Sequence, residues 1–287
     1  MSQAQENVTV YTPESLIRNP IKLFKELVAD LLHSRELIMA LLVRDIKAQY
    51  RQTIFGYLWI IAPPLATTGM WFYLNSQKLI NVAETDIPYP AFVLLGQILW
   101  GTFSAAVMAP LNGFNAGKSI FTKLNVSPEA FIFAGIGKNL FDIGVKLVLV
   151  LGVLWWIDVG ISWTFILFLL DIAAIVIFGI GLGIFLIPIG SLYQDVVKAV
   201  GLALPFLMYL TPVVYPPPEN SDGIAGTIIN YNPLTPLIMA GRDWLTLGSS
   251  PYGTQMVITA AISFVFFLFG SLVMRIVLPR LIERMGM

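Results

Sequence analysis

The chain has 287 residues, 57% hydrophobic and 12% charged, with a mean hydropathy of +0.78. A soluble domain carries about 25% charge, so the composition excludes an ordinary soluble enzyme and indicates a membrane protein. Seventeen Lys/Arg balance seventeen Asp/Glu, which leaves no bulk basic face for nucleic acid. The absence of cysteine excludes disulfides, thiolate metal sites and cysteine nucleophiles, and the single histidine, His33, leaves no His-based metal site and argues against a Ser–His–Asp triad.

Residues 1–53 read as a cytoplasmic amphipathic region. Phe24, Leu27, Val28, Leu31 and Leu32 fall at helical spacing, with Lys22, Lys25, Glu26 and Asp30 between them. A second stretch, 37–51, carries Ile38, Leu41, Leu42 and Ile46 on one side and Arg44, Asp45, Lys47 and Arg51 on the other. Such a helix suits the inner membrane surface, where anionic lipids attract its cations. It reads as a surface anchor or as a mechanical element coupling the membrane part to a cytoplasmic partner. No cleavable signal peptide is expected, because the first apolar run comes late and is interrupted by charges.

Residues 54–287 read as a six-helix transmembrane domain, so the expected fold is an all-α membrane protein. Each span needs about 20 mainly apolar residues, and six stretches qualify: 54–80, 90–110, 130–157, 161–189, 196–214 and 256–278. Placing the N-terminus inside puts twelve Lys/Arg on the cytoplasmic side and two, Lys78 and Arg242, outside. That bias sets the orientation, and an even number of spans returns the C-terminus to the cytoplasm. Glu84, Asp86, Asp158, Glu219, Asp222 and Asp243 collect on the outer side. The outer segment 215–252 opens on three prolines and contains an apolar stretch at 236–244. A structureless loop of that length is unusual, so short re-entrant or interfacial helices are expected there, shielded by the bundle.

Two glycine patterns imitate nucleotide motifs. Gly113, Gly117, Lys118 and Ser119 resemble a phosphate-cradling loop, but three residues separate the glycines where four are needed, and no strand precedes them. The segment is expected to be a cytoplasmic turn bearing a cation. Gly179, Gly181 and Gly183 lie inside the fourth span, where a small-xxx-small pair serves close helix packing.

Lys138, Asp142 and Lys146 are spaced by four and share a helix face in span three. Intramembrane charges are costly and face partners or wet cavities. Lys146 lies about 17 Å, and Asp171 of span four about 12 Å, from the outer end at about 1.5 Å per residue. Lys146 is therefore expected to pair with Asp171 or Asp142; the other reading is that the cations meet an anionic substrate. Aromatic residues are abundant. Trp155, Trp156 and Trp163 suit the outer interface, while Tyr57, Trp59, Trp71 and Tyr73 in span one and Phe206 and Tyr209 in span five can line a glycan conduit or simply pack. Pro63, Pro64, Pro188, Pro205 and Pro212 bend their helices.

The run from Leu42 to Trp59, with Arg44-Asp45, Tyr50 and Gly56-Tyr57-Leu58-Trp59, resembles the opening of the membrane (permease) subunit of bacterial polysaccharide ABC exporters. These type-two ABC permeases export O-antigen, capsule and teichoic acid. Three later stretches agree: Lys123 and Pro128 within 118–128; Leu192-Tyr193-Gln194-Asp195 followed by Thr211-Pro212-Val213-Val214-Tyr215-Pro216; and Asn232-Pro233-Leu234 followed by Arg242. Gln194 stands where many members carry arginine.

The resemblance implies a homodimeric pore with two copies of a separate cytoplasmic ABC ATPase beneath it, in the bacterial inner membrane. ATP and Mg would bind that partner, with no cofactor on this chain. The substrate would be a lipid-linked polysaccharide of the O-antigen type, passing Tyr57, Trp59, Trp71, Tyr73, Phe206 and Tyr209. Arg44, Lys47 and Arg51 would meet the lipid pyrophosphate at the cytoplasmic entrance, or membrane lipid. Lys118, Phe121, Lys123 and Pro128 would couple to the ATPase. The competing readings are a type-two exporter of capsule, teichoic acid or a small molecule, and a membrane-embedded glycosyltransferase. The latter needs a close acidic pair at the membrane edge, and only Glu84 and Asp86 offer one, on the outer side.

Overall fold

The computed structural model describes residues 29–51, 53–80, 82–121, 123, 126–217 and 223–286, and among these the regular structure is all helix, without strand. The helices are α1 (Arg35–Arg51), α2 (Leu58–Ser76), α3 (Tyr89–Phe121), α4 (Pro128–Trp156), α5 (Phe165–Leu192), α6 (Gln194–Met208), α7 (Ile224–Tyr231), α8 (Leu234–Thr246) and α9 (Gly253–Gly286). Phe24, Leu27 and Val28 of the first amphipathic pattern lie outside the described residues.

Among the described residues four helices, α3, α4, α5 and α9, are long and apolar enough to cross a membrane. Spans three, four and six of the sequence reading match α4, α5 and α9 to within a few residues at most ends. Span two, 90–110, extends into a helix ending at Phe121. This corrects the expected turn at 113–119, which is helical. The reason is packing: a Cβ on Gly113 would meet the Phe131 carbonyl at 2.5 Å, and one on Gly117 would meet the Phe131 ring. The two glycines give α3 a flat face on which α4 lies, so the helix continues past the apolar run. Span one shortens to α2, with 54–57 in bends and turns. Span five divides into the 15-residue α6 and a turn through 209–215. At about 1.5 Å per residue, α6 alone is shorter than the roughly 30 Å hydrocarbon core.

Helix α3 is the hub. It packs against α5 and α4, and α9 packs against α5. Lipid tails are as apolar as leucine, so close dispersion contact rather than escape from water selects the interface. The expected glycine pair provides it. A Cβ on Gly179 would stand 2.6 Å from the Ala106 Cβ, and one on Gly183 would collide with the Val107 carbonyl. Around that seam Leu94, Leu95, Leu99, Leu111, Phe114 and Ile175 are fully enclosed.

Helix α1 is amphipathic as its pattern requires: Leu41 is buried, Leu42 packs near Gly137 of α4, and Lys47 and Arg51 are exposed. Helix α4 opens with Pro128 at its first turn, after the extended Ser127, a favoured placement because proline has no N–H to leave unpaired. The outer segment forms α7 and α8. Helix α8 is shielded by α5, α3 and α9. Thr164 donates to the Trp244 carbonyl at 2.6 Å and the Ser162 N–H to the Leu245 carbonyl at 2.8 Å, stitching α8 to the turn before α5.

Candidate functional site

Functional groups fall into three layers, labelled by the orientation that the Lys/Arg bias predicts: a cytoplasmic layer at the ends of α1, α3, α4 and α5, an intramembrane layer on α2, α4, α5 and α6, and an outer layer built on α8.

In the cytoplasmic layer, the Lys118 ammonium donates to the Ser191 carbonyl at 3.0 Å. Ser191 is in the last turn of α5, whose unpaired carbonyls carry partial negative charge. Lys118 therefore bridges the end of α3 to the junction of α5 and α6. Phe121 is buried and packs edge-on to Phe131, with ring centroids 6.0 Å apart. Pro128 is buried at the start of α4. Of these four residues, Lys123 is the one exposed to solvent. On α1, Arg44 pairs with Asp45 at 2.8 Å. Asp30 pairs with Arg275 of α9 at 2.6 Å, tying the segment before α1 to α9.

In the intramembrane layer, Lys138 pairs with Asp142 at 3.2 Å, one turn apart on α4. Lys146 makes no ion pair among the described residues, although it lines a cavity with Asp142. The expected alternative pair with Asp171 does not form, because α4 and α5 each pack on α3 rather than mainly on each other. Asp171 is fully buried against Gly241 of α8, and neither carboxylate oxygen has a hydrogen-bond partner among the described residues.

The aromatic residues divide by exposure. Tyr57, Trp59 and Tyr73 on or beside α2, and Phe206 and Tyr209 at the end of α6, are exposed, whereas Trp71 packs against the core. Tyr57 also leans on Phe141 of α4, with centroids 5.9 Å apart. Both α2 and α6 pack on α3, so one hub carries both exposed aromatic faces. Trp155, Trp156 and Trp163 are each more than four-fifths exposed, as outer-interface anchors require.

The outer layer gives Arg242, part of the resemblance above, a role that the sequence does not reveal. Arg242, counted there as an outer cation, is 2% exposed. Its guanidinium donates to the Pro212 carbonyl at 2.8 Å and to the Val213 carbonyl, and it stacks 3.8 Å over the Phe92 ring. Gly96 makes room, since a Cβ there would collide with both the guanidinium and the Val213 carbonyl. Asn232 adds bonds to the Thr211 hydroxyl at 2.7 Å and the Leu210 carbonyl at 3.2 Å. Together they hold the turn that ends α6, a place where backbone carbonyls lack helical partners. The available signal was an arginine inside the apolar stretch 236–244. Its neighbour Asp243 accepts from the Ser250 hydroxyl at 2.6 Å. Burial raises the Asp243 carboxyl to about 6, against the lowering effects of Ser250 and Arg242, with the Asp86 charge adding to the rise.

Among the described residues no group of His, Cys, Asp and Glu forms a metal site. The sequence profile of the ABC-2 type transporter family matches residues 36–246. The chain is 27% identical over 227 residues to the O-antigen export system permease protein RfbA of Klebsiella pneumoniae, covering 76% of this chain and 83% of that one. It is 26% identical over 245 residues to RfbA of Myxococcus xanthus, covering 83% and 91%. It is 22% identical over 225 residues to the polysialic acid transport protein KpsM of Escherichia coli, covering 76% and 84%.

Proposed function

The chain belongs to the ABC-2 type transporter family, a multi-pass membrane permease rather than an enzyme, and from that premise we propose that it is the transmembrane subunit of an exporter of lipid-linked polysaccharide. Two copies form the channel, and two copies of a cytoplasmic ABC ATPase drive it, binding ATP and Mg so that this chain needs no cofactor. The protein sits in the bacterial inner membrane with six spans, α2 to α6 and α9, and both termini in the cytoplasm. The observation that carries this reading is similarity to O-antigen export permeases along most of the chain. The Lys/Arg bias toward one side supports the orientation, and the burial of α8 supports a re-entrant outer segment.

Mechanically, the ATPase pair presses on the connection after α3, where Lys123 is exposed. Lys118 carries that displacement to the junction of α5 and α6 through Ser191. Helix α6 then moves at its inner end while Arg242 and Asn232 hold its outer end. The exposed aromatic faces of α2 and α6 offer π surfaces to sugar C–H groups, a contact that tolerates sliding. Arg44, Lys47 and Arg51 place cations at the membrane surface for the lipid pyrophosphate. The similarity to KpsM favours capsule-type glycan as the second reading.

The test is reconstitution of the chain with its ATPase in proteoliposomes. Export predicts ATP-dependent appearance of lipid-linked glycan in the lumen of vesicles whose ATPase faces outward. ATP turnover with no glycan crossing overturns the reading.

A further inference from the structure

Two buried groups of opposite kind lie unmatched at one corner of the bundle. Asp171 of α5 is fully buried, and neither of its oxygens has a hydrogen-bond partner among the described residues. As a carboxylate it lacks donors, and as an acid its O–H lacks an acceptor. Either form leaves a buried polar group unpaired, which is costly and rare. Arg242 of α8 is 2% exposed, and its Nε has no acceptor among the described residues.

The two lie within reach of one another. A Cβ on Gly241 would collide with the Asp171 Oδ2, so the carboxyl rests on the backbone of α8 one residue before Arg242. Successive Cα atoms stand about 3.8 Å apart, which puts that oxygen within about 8 Å of the Arg242 Cα. An extended arginine covers most of that span, and a hydrogen bond of about 2.9 Å closes it. One face of α3 lies under both groups. Gly96 leaves room for the guanidinium, and Leu99, one turn on, packs where the Gly241 Cβ would be.

An exchange of partners is close to balanced. Where it stands, the guanidinium bonds the Pro212 and Val213 carbonyls and lies over Phe92, and Asp171 is left unpaired. Turned to Asp171, it gains a buried ion pair and leaves those two carbonyls unpaired. Each arrangement satisfies one set of buried groups and abandons the other, so neither wins by a large margin. Two states of similar free energy are what a switch needs.

We propose that Arg242 is a latch with two seats, the Pro212–Val213 turn and Asp171. In the first seat α8 bolts the outer end of α6. In the second α8 bolts itself to α5, and the turn loses its charged bonds. The bonds that remain on the turn are neutral: Tyr89 to the Val214 carbonyl at 3.0 Å, and Asn232 to Leu210 and Thr211. Neutral bonds are weaker than charge-assisted ones, so the outer end of α6 is then free to move. That this release serves passage of a glycan rests on the export reading above.

The chain has no cysteine, so Val213→Cys puts a unique thiol on the turn. Val213 is fully buried, and alkylation there by N-ethylmaleimide reads the fraction of time the turn is released. The full chain is held in phosphatidylcholine nanodiscs. Asp171→Asn keeps the shape and removes the charge, so it should slow alkylation by about tenfold. Asp171→Ala, which has no acceptor, should slow it at least as much, and it stands in where the amide variant does not fold. Slowing is the diagnostic direction, because structural damage exposes a buried thiol and speeds its reaction. Val150→Cys, equally buried on α4, should react at the same rate with Asp or Asn at position 171. In an Arg242→Gln background, where no charge is left to pair, Asp171→Asn should change nothing. Unchanged or faster alkylation in the Asp171 variants, equal slowing at Val150→Cys, or the same slowing with Arg242→Gln overturns the latch. Alkylation needs no ATP turnover, so failed export with the Asp171 dependence intact would sink the export reading and leave the latch standing.

Discussion

The Arg242 guanidinium donates to the Pro212 carbonyl at 2.8 Å, thirty residues earlier in the chain. This bond closes the outer end of α6, because the Thr211–Val214 turn is buried and its carbonyls have no helical partner to accept from. Replacing Arg242 with Met leaves the Pro212 and Val213 carbonyls buried and unpaired. Loss of such bonds costs about 1–3 kcal/mol per abandoned group, so a clear drop in thermal midpoint in detergent is expected. Arg242→Lys should recover only part of it, because an ammonium cannot bond both carbonyls with a planar fork. Equal midpoints for the wild type and Arg242→Met would refute the anchoring role.

Lys118 should behave differently. It is partly exposed and bonds one terminal carbonyl of α5, an interaction worth about 0.3–1 kcal/mol. Lys118→Met should therefore fold and bind the ATPase, yet export less glycan per ATP hydrolysed. The ratio of transport to hydrolysis in proteoliposomes is the measurement. A proportional fall in both would show that Lys118 serves docking rather than transmission.

The outer layer should respond to acid through Asp243. Its carboxyl is raised to about 6 by burial, while an unfolded carboxyl titrates near 3.9. Between these values the folded chain binds more protons than the unfolded one. By linkage this contribution is fully present below the unfolded value and is lost as pH rises through about 6. Asp243→Asn should flatten the thermal midpoint between about pH 4 and pH 7 relative to the wild type. The same slope in both proteins would remove Asp243 as its source.

Tyr57→Ala with Trp59→Ala tests the aromatic face. Both side chains are about half exposed in the protomer, so little core packing is lost. Export should fall while membrane insertion and dimer yield on size-exclusion chromatography persist. Assembly failing as severely as export would make these rings packing residues.

Much of this architecture was legible along the chain. The amphipathic α1, the seams at Gly179 and Gly183, and the exposure of Trp155, Trp156 and Trp163 all follow from periodicity or from residue size and polarity. The Gly113–Ser119 segment is helix where the sequence predicts a turn, because the apolar run ends before the helix does and the facing helix, through Phe131 and Ile132, explains the two glycines. The pair expected between Lys146 and Asp171 was argued from depth alone. Depth fixes height in the membrane but not azimuth, and the hub helix α3 takes both partners' packing faces.

The apolar solvent is legible in the order of residues alone, because transfer of a helix into lipid is a sum over neighbouring residues. Tertiary structure alone decided that Arg242 is an internal clamp, that Lys118 meets Ser191, and that Asp30 meets Arg275 across 245 positions. Such contacts depend on which helix faces meet and at what height, and hydropathy along one chain carries no record of that register.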